Sequence, residues 1–199
     1  MSVVVAVKDK EDNSVWVACD SQCSAGCQKI TLTNKNNYKI FKPSKDENLI
    51  IGIVGTVRDS NILYCIDEYI DELTKLKNEF DFKYVINTII PNIQNTLIKN
   101  KRIVIKDGIM GDMKNQIILA YKDRIFDIDH QYATIEIDDY TVIGSGTDFS
   151  VGNLSNGQNK SPKQKAIDAV KASCINELYV NYPIILMNTM TNEIEIIDK

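Results

Sequence analysis

The 199-residue chain has a single histidine, His130. A metal site built on several imidazoles is therefore excluded within one chain. A serine–histidine or cysteine–histidine enzyme would have to place all its chemistry on that one residue. The chain also has no long hydrophobic run: the longest are strand-sized, such as Ile184–Met187, far short of the ~20 residues a helix needs to cross a bilayer. No membrane partner is expected. The start, Met-Ser-Val-Val-Val-Ala-Val-Lys, has no basic opening and no small-residue cleavage site, so no secretory leader is expected and the cytoplasm is the expected location. Nor is there an excess of positive charge. With 23 basic and 27 acidic residues the formal charge is −4, a poor endowment for displacing counterions from a phosphate backbone, and no nucleic-acid partner is expected. The five cysteines are odd in number, and without a secretion signal free thiols are the default.

What is present suits a globular protein: 44% apolar and 25% charged residues, enough to bury a core. No linker or change of composition divides the chain, so residues 1–199 are read as one domain. Residues 2–7 and 15–19 predict two strands around a polar turn at 8–14. Val3 to Val7 is almost wholly apolar, as in a strand covered on both faces. Residues 38–41 and 49–54 predict two more strands, around Pro43.

From Asp59 the period changes to three and four. Ile62, Ile66, Tyr69, Leu73 and Leu76 form the stripe of an amphipathic helix, with Asp59 or Ser60 as its cap. Val85, Ile86, Ile89, Ile90, Ile93 and Leu97 mark a second helix, which Pro91 should kink or break. Strand patterns return at 103–105, 116–121, 125–128 and 140–143. A short helix is expected at 148–154. Ser161-Pro162 then opens a longer one, with Ala166, Ile167, Val170, Cys174 and Leu178 on its apolar face. Strands at 184–187 and 193–197 close the chain. Strands and helices come in blocks rather than in alternation. This predicts an α+β fold of two packed sheets with helix pairs on the outer faces.

Few residues suggest chemistry by themselves. Asp127 and Asp129 flank His130 and could orient it as a base, yet the segment reads more simply as a surface turn between strands. Cys19, Cys23 and Cys27 recur every four residues, a spacing unlike paired-cysteine metal motifs. No metal site and no cofactor are expected. Ser2 is different. Removal of Met1 before this small residue would leave a hydroxyl and an α-amine on one residue. The amine, with a pKa near ~7.7–8.0, can accept a proton at neutral pH. Such a residue is a self-contained nucleophile and base, and needs no histidine.

Further motifs bear on Ser2. The opening 2–8, then Val15-Trp-Val-Ala-Cys-Asp20-Ser-Gln22 and Gly26, then Lys39-Ile40-Phe41, Ile53-Val54-Gly55-Thr56-Val57-Arg58-Asp59, Ile143-Gly144-Ser145-Gly146-Thr147 and the helix from Ala166 to Glu177 follow one another in order over nearly the whole chain. Together they resemble proteasome β-type subunits and the bacterial proteasome-like peptidase that partners a ring ATPase. The resemblance implies an α+β fold, the four-layer αββα sandwich of N-terminal-nucleophile hydrolases. It places Ser2 at the nucleophilic threonine, Asp20 and Lys39 at the buried acid–lysine pair, and Gly55 at the oxyanion donor. Ser145 falls at the serine that bonds the terminal amine. Ser24 falls near the backbone that binds an extended substrate as an added strand. The last long helix should carry another acid, for which Glu177 and Asn176 are candidates. The nucleophile departs from the family pattern, being serine rather than threonine.

The expected function is a peptidase acting on peptides or unfolded proteins inside a homo-oligomeric ring, with a ring ATPase supplying folded substrates. Two other readings stand beside it. A catalytically silent scaffold subunit would retain Met1 and so lack a free amine. A hydrolase of small amides would keep the mechanism and change the substrate.

Overall fold

The computed structural model describes residues 2–44, 46–65, 80–157 and 159–199. Fourteen strands among these residues form two five-stranded sheets and two small hairpins. The first sheet runs β12–β1–β2–β13–β14: Tyr140–Gly144, Val3–Asp9, Ser14–Cys19, Ile184–Asn188 and Ile194–Ile197. The second runs β11–β10–β9–β6–β5: Thr134–Ile137, Arg124–Ile128, Asn115–Tyr121, Leu49–Gly55 and Ile40–Phe41. All pairings are antiparallel. The hairpins are β3 with β4 (Gln22–Ala25, Gln28–Thr31) and β7 with β8 (Ile105–Lys106, Ile109–Met110).

Strand alternation builds the layers. In β1, Val4 and Ala6 join Val17, Ile50, Ile118 and Ile143 between the two sheets. Val3, Val5 and Val7 face the other way, onto Leu154, Ala166 and Val170 of helices α4 (Thr147–Asn156) and α5 (Pro162–Asn176). The far side of the second sheet is covered by α1 (Val57–Cys65), the short turn α2 (Phe82–Tyr84), a π-helical stretch Val85–Ile89 and α3 (Ile90–Lys99). The order is αββα, as the block pattern and the resemblance predict. A strand such as β1 must be apolar on both faces because it has a sheet on one side and helices on the other.

Several local expectations are corrected. The turn after β1 is only Lys10–Asn13, because the ladder runs on to the Asp9–Ser14 pair. Helix α1 starts at Val57, so Asp59 and Ser60 lie in its first turn rather than at its cap. Of its apolar stripe, Ile62 and Leu63 are buried, while Ile66, Tyr69, Leu73 and Leu76 lie outside the described residues. At Pro91 the segment changes helix type and runs on. The π stretch ends with the Ile90 N–H on the Val85 carbonyl, and Pro91 then sits in the first turn of α3, where its missing N–H is not needed. Leu178 lies past the end of α5 and is 78% exposed. The β3–β4 hairpin and β11 carry no strong strand pattern, being largely exposed. The Ser161 cap of α5 forms as predicted, its hydroxyl accepting the Gln164 N–H.

Candidate active site

Five strand ends meet at one edge of the two sheets. Ser2 precedes β1, Asp20 follows β2, and Ser145 follows β12. Register explains why they are neighbours: Val3 pairs with Gly144, and Val4 with Cys19. On the facing sheet Lys39 precedes β5 and Gly55 ends β6. The Lys39 carbonyl accepts the Ile53 N–H at 2.8 Å, so these two ends are also held side by side.

Asp20, 1% exposed, is the hub. Its Oδ1 accepts the Val3 N–H at 3.0 Å and the Lys39 ammonium at 2.6 Å. Its Oδ2 accepts the N–H of Gln22 at 3.0 Å and of Asn181 at 3.3 Å. Lys39 gives a second proton to the Gln22 carbonyl at 2.6 Å. A buried ion pair is tolerable only when its remaining sites are bonded, and here three backbone donors and one carbonyl do that. Lys39 reaches from the second sheet to the acid of the first, so the pair also ties the sheets together.

Ser145 sits against Ser2. Its Oγ accepts the Ser2 N–H at 3.2 Å and lies 3.4 Å from the Ser2 carbonyl, to which it can donate. The Gly146 N–H donates to that same carbonyl at 3.3 Å. Gly144 has φ +102°, and a Cβ there would lie 2.2 Å from the Ser2 carbonyl oxygen. Only glycine lets the two strand ends approach this closely.

Gly55 is held from behind. Thr56 Oγ donates to the Asp59 carboxylate at 2.7 Å, the Arg102 guanidinium closes on the same carboxylate, and the Asn115 amide donates to the Thr56 carbonyl at 3.3 Å.

Two clefts flank Ser2. The first, about 280 Å³, lies between β3, β4, β6 and α1 and is lined by Ser24, Ile30, Leu32, Tyr38, Val57 and Tyr64 among others. Lys39 is the one charged residue in its lining. The second, about 480 Å³ and shallower, lies beyond Gly55 and is lined by Met113, Lys114, Gln116, His130 and Ser145. Ser2, Val54 and Gly55 belong to both.

The residues singled out from the sequence thus converge: Ser2, Asp20, Lys39 and Ser145 are linked by hydrogen bonds directly or through Val3, and Gly55 and Ser24 line the cleft that Ser2 opens. Glu177 and Asn176 do not join them. Glu177 accepts the N–H of Tyr179, and Asn176 donates to the Ala172 carbonyl, both at the end of their own helix. The acids beside His130 are likewise spent elsewhere. Asp129 accepts the N–H groups of Gln131 and Ala133, and Asp127 bonds the Thr141 hydroxyl. His130 is exposed on the β10–β11 turn, as the simpler reading has it, but that turn forms a wall of the second cleft.

Cys19 lies beside the acid–lysine pair, and burial pushes its thiol up to about 12. Burial raises Cys174 to about 12 as well. Neither is a thiolate at neutral pH. Among the described residues no group of three or more His, Cys, Asp or Glu is placed to hold a metal ion, and no helix is long and apolar enough to cross a membrane.

Gln22, Asn181, Thr56, Asp59 and Asn115 also support the site. Gln22 and Asn181 do so through backbone groups, which leave no trace in residue type, whereas Thr56, Asp59 and Asn115 use their side chains.

The sequence model of the family described as "Proteasome subunit" matches residues 2–181. Among solved structures the chain resembles Thiobacillus denitrificans BPH in complex with epoxomicin, with a TM-score of 0.76 and 16% identity over 94% of this chain and 97% of that one. It also resembles eukaryotic HslV from Trypanosoma brucei, with a TM-score of 0.67 and 14% identity over 94% and 98%. No curated protein matches it by sequence.

Proposed function

Because the chain belongs to the proteasome subunit family, we propose that it is a proteasome-like peptidase that cleaves peptide bonds with Ser2 as an N-terminal nucleophile, once Met1 is removed. The observation that carries this reading is the bonded set Ser145–Ser2–Val3–Asp20–Lys39 at the mouth of two clefts.

The chemistry follows from these groups. The free Ser2 amine, held by Ser145, takes the hydroxyl proton through a water. The Ser2 oxygen attacks the peptide carbonyl. Lys39 has a third N–H beyond those given to Asp20 and Gln22, and its charge favours both the neutral amine and the developing alkoxide. The Gly55 N–H donates to the carbonyl oxygen as it gains charge. The amine's proton passes to the leaving nitrogen, whose C–N bond breaks, and an ester to Ser2 remains. Water then hydrolyses that ester and restores the serine.

The acyl side of the substrate lies along β3 at Ser24 as an added strand, with its last side chain in the first cleft. The assembly is a homo-oligomeric ring that encloses the sites, in the cytoplasm, with a ring ATPase feeding folded substrates.

Intact mass is the first test. Loss of one methionine, covalent labelling of Ser2 by an electrophilic peptide, and loss of turnover in Ser2→Ala with the assembly retained are the expected results. Unchanged turnover in Ser2→Ala would overturn the mechanism. A chain that keeps Met1 and never labels is the scaffold subunit instead. Turnover of simple amides without peptides would identify an amide hydrolase.

A further inference from the structure

The second cleft has a chemistry of its own. It begins at Gly55, which pairs in register with Asn115, and a Cβ on Gly55 would lie 2.2 Å from the Lys114 carbonyl. The Lys114 backbone is therefore held directly beside Gly55, the candidate oxyanion donor. Met113 is buried and its N–H donates to the His130 carbonyl at 2.9 Å, so the segment bearing Lys114 and the turn bearing His130 are joined. The opposite wall is tied as well: the Gly144 N–H donates to Gln116 Oε1 at 3.3 Å. The cleft is a fixed part of the fold rather than a gap between loose loops.

Among the described residues its lining holds one ammonium, Lys114, one imidazole, His130, and no carboxylate. The acids nearby in sequence or space do not line the cleft. Asp129 serves the N–H groups of Gln131 and Ala133, Asp59 serves Arg102 and Thr56, and Asp112 is exposed outside the cleft. In a chain of net charge −4, the cleft thus sets an ammonium beside an imidazole with no acid among its described lining residues. A peptide lying across Ser2 fills both clefts, because Ser2, Val54 and Gly55 line both.

We propose that Lys114 and His130 form a subsite for the residue just after the scissile bond, and that it selects a carboxylate side chain there over an ammonium one. This rests on the peptidase reading above and adds to it the class of residue taken on the leaving side. A carboxylate in the cleft meets the Lys114 ammonium and an imidazole N–H, whereas a lysine meets like charge.

The test uses internally quenched peptides that share one acyl side and carry Asp, Ala or Lys directly after the cleaved bond. The expected order of kcat/KM is Asp, then Ala, then Lys, with about fivefold between the extremes, the scale of exposed charge pairs. Lys114→Glu reverses the order, and His130→Ala narrows it. Fluorescently labelled versions of the same peptides, titrated onto Ser2→Ala, should bind in the same order without turnover. A flat series in both assays, or a ratio that Lys114→Glu leaves untouched, overturns the subsite. Ordered binding without any Ser2-dependent cleavage in the wild type removes the peptidase reading and leaves the subsite standing. No binding and no cleavage removes both.

Discussion

The Asp20 carboxylate and the Lys39 ammonium lie 2.6 Å apart, but they depend on each other unequally. Asp20 has three backbone N–H partners besides Lys39, whereas among the described residues the Lys39 ammonium bonds Asp20 and one carbonyl. Asp20→Ala therefore strands a buried cation and should cost about 3–5 kcal/mol of stability. Lys39→Met leaves the acid with its backbone donors and should cost less. It should still lower turnover by a factor of about 10²–10³, as loss of one preorganised group at a developing charge does. Denaturant unfolding and peptide kinetics on the two variants separate the effects. Equal destabilisation would refute the asymmetry.

Gly55 tests the oxyanion wall. Its φ is +127°, and an added Cβ would meet the Lys114 carbonyl oxygen at 2.2 Å and the Asn115 Cα at 2.9 Å. Both contacts are backbone within a paired strand, so neither yields cheaply. Gly26, at φ +59°, has nothing within 4 Å of its added Cβ, and Gly26→Ala should cost only the ~1–2 kcal/mol of a left-handed backbone. Gly55→Ala should cost more and abolish turnover even where it folds. Melting temperatures and kcat for the pair decide the matter; similar losses at both positions would show that the close approach at Gly55 carries no weight.

The first cleft predicts the acyl-side preference. Ile30, Leu32, Val57, Tyr38 and Tyr64 line it, with Gln22, Ser24, Asn36, Asn37, Ser60 and Asn61 among its neutral polar members and Lys39 near Ser2. A side chain entering it leaves water for largely apolar walls, and a carboxylate or ammonium there would lose hydration with no opposite charge to pair except Lys39, which Asp20 already holds. Peptides with Leu, Phe or Tyr before the cleaved bond should be turned over at least tenfold faster than those with Asp or Lys. A preference for charged residues would show that the cleft does not hold this side chain.

Much of this arrangement is legible in the sequence, for physical reasons that differ by residue. The doubly apolar run Val3–Val7 announces a strand between two layers, because side-chain alternation leaves no face for water. Ser2, Asp20, Lys39, Gly55 and Ser145 are found through the order of their motifs, and register then brings them to one sheet edge. Thr56 and Asp59 fall within a motif, but their bonds to Arg102 and Asn115 are not legible in the same way. The four meet because β6, β9, α1 and the segment after α3 are packed together, and nothing in their spacing encodes that contact. The β3–β4 hairpin escapes notice because β4 is exposed on every residue and lacks a buried face to set a pattern. Glu177 is bonded to the N–H of Tyr179, two residues on, and not to Ser2 or Ser145, a local contact its position in the sequence does not reveal.

Asp127 gives a pH signature of folding that is separable from catalysis. It sits in β10, and burial raises its carboxyl above the usual range; the Thr141 hydroxyl opposes this and nearby Asp129 adds to it. A carboxyl with a raised folded pKa binds more protons folded than unfolded, so stability falls as pH rises from the ordinary carboxylate value through the raised one. The penalty is complete once pH exceeds the raised value and absent well below the ordinary carboxylate value, where the group is protonated in both states. Asp127→Asn removes the charge while its amide oxygen still accepts the Thr141 hydroxyl. Its melting temperature should exceed the wild type's at pH 7, and the two should converge as pH falls toward 4. A gain of the same size at both pH values would assign the effect to packing, and no gain at pH 7 would show that the Asp127 charge is already compensated in the folded chain.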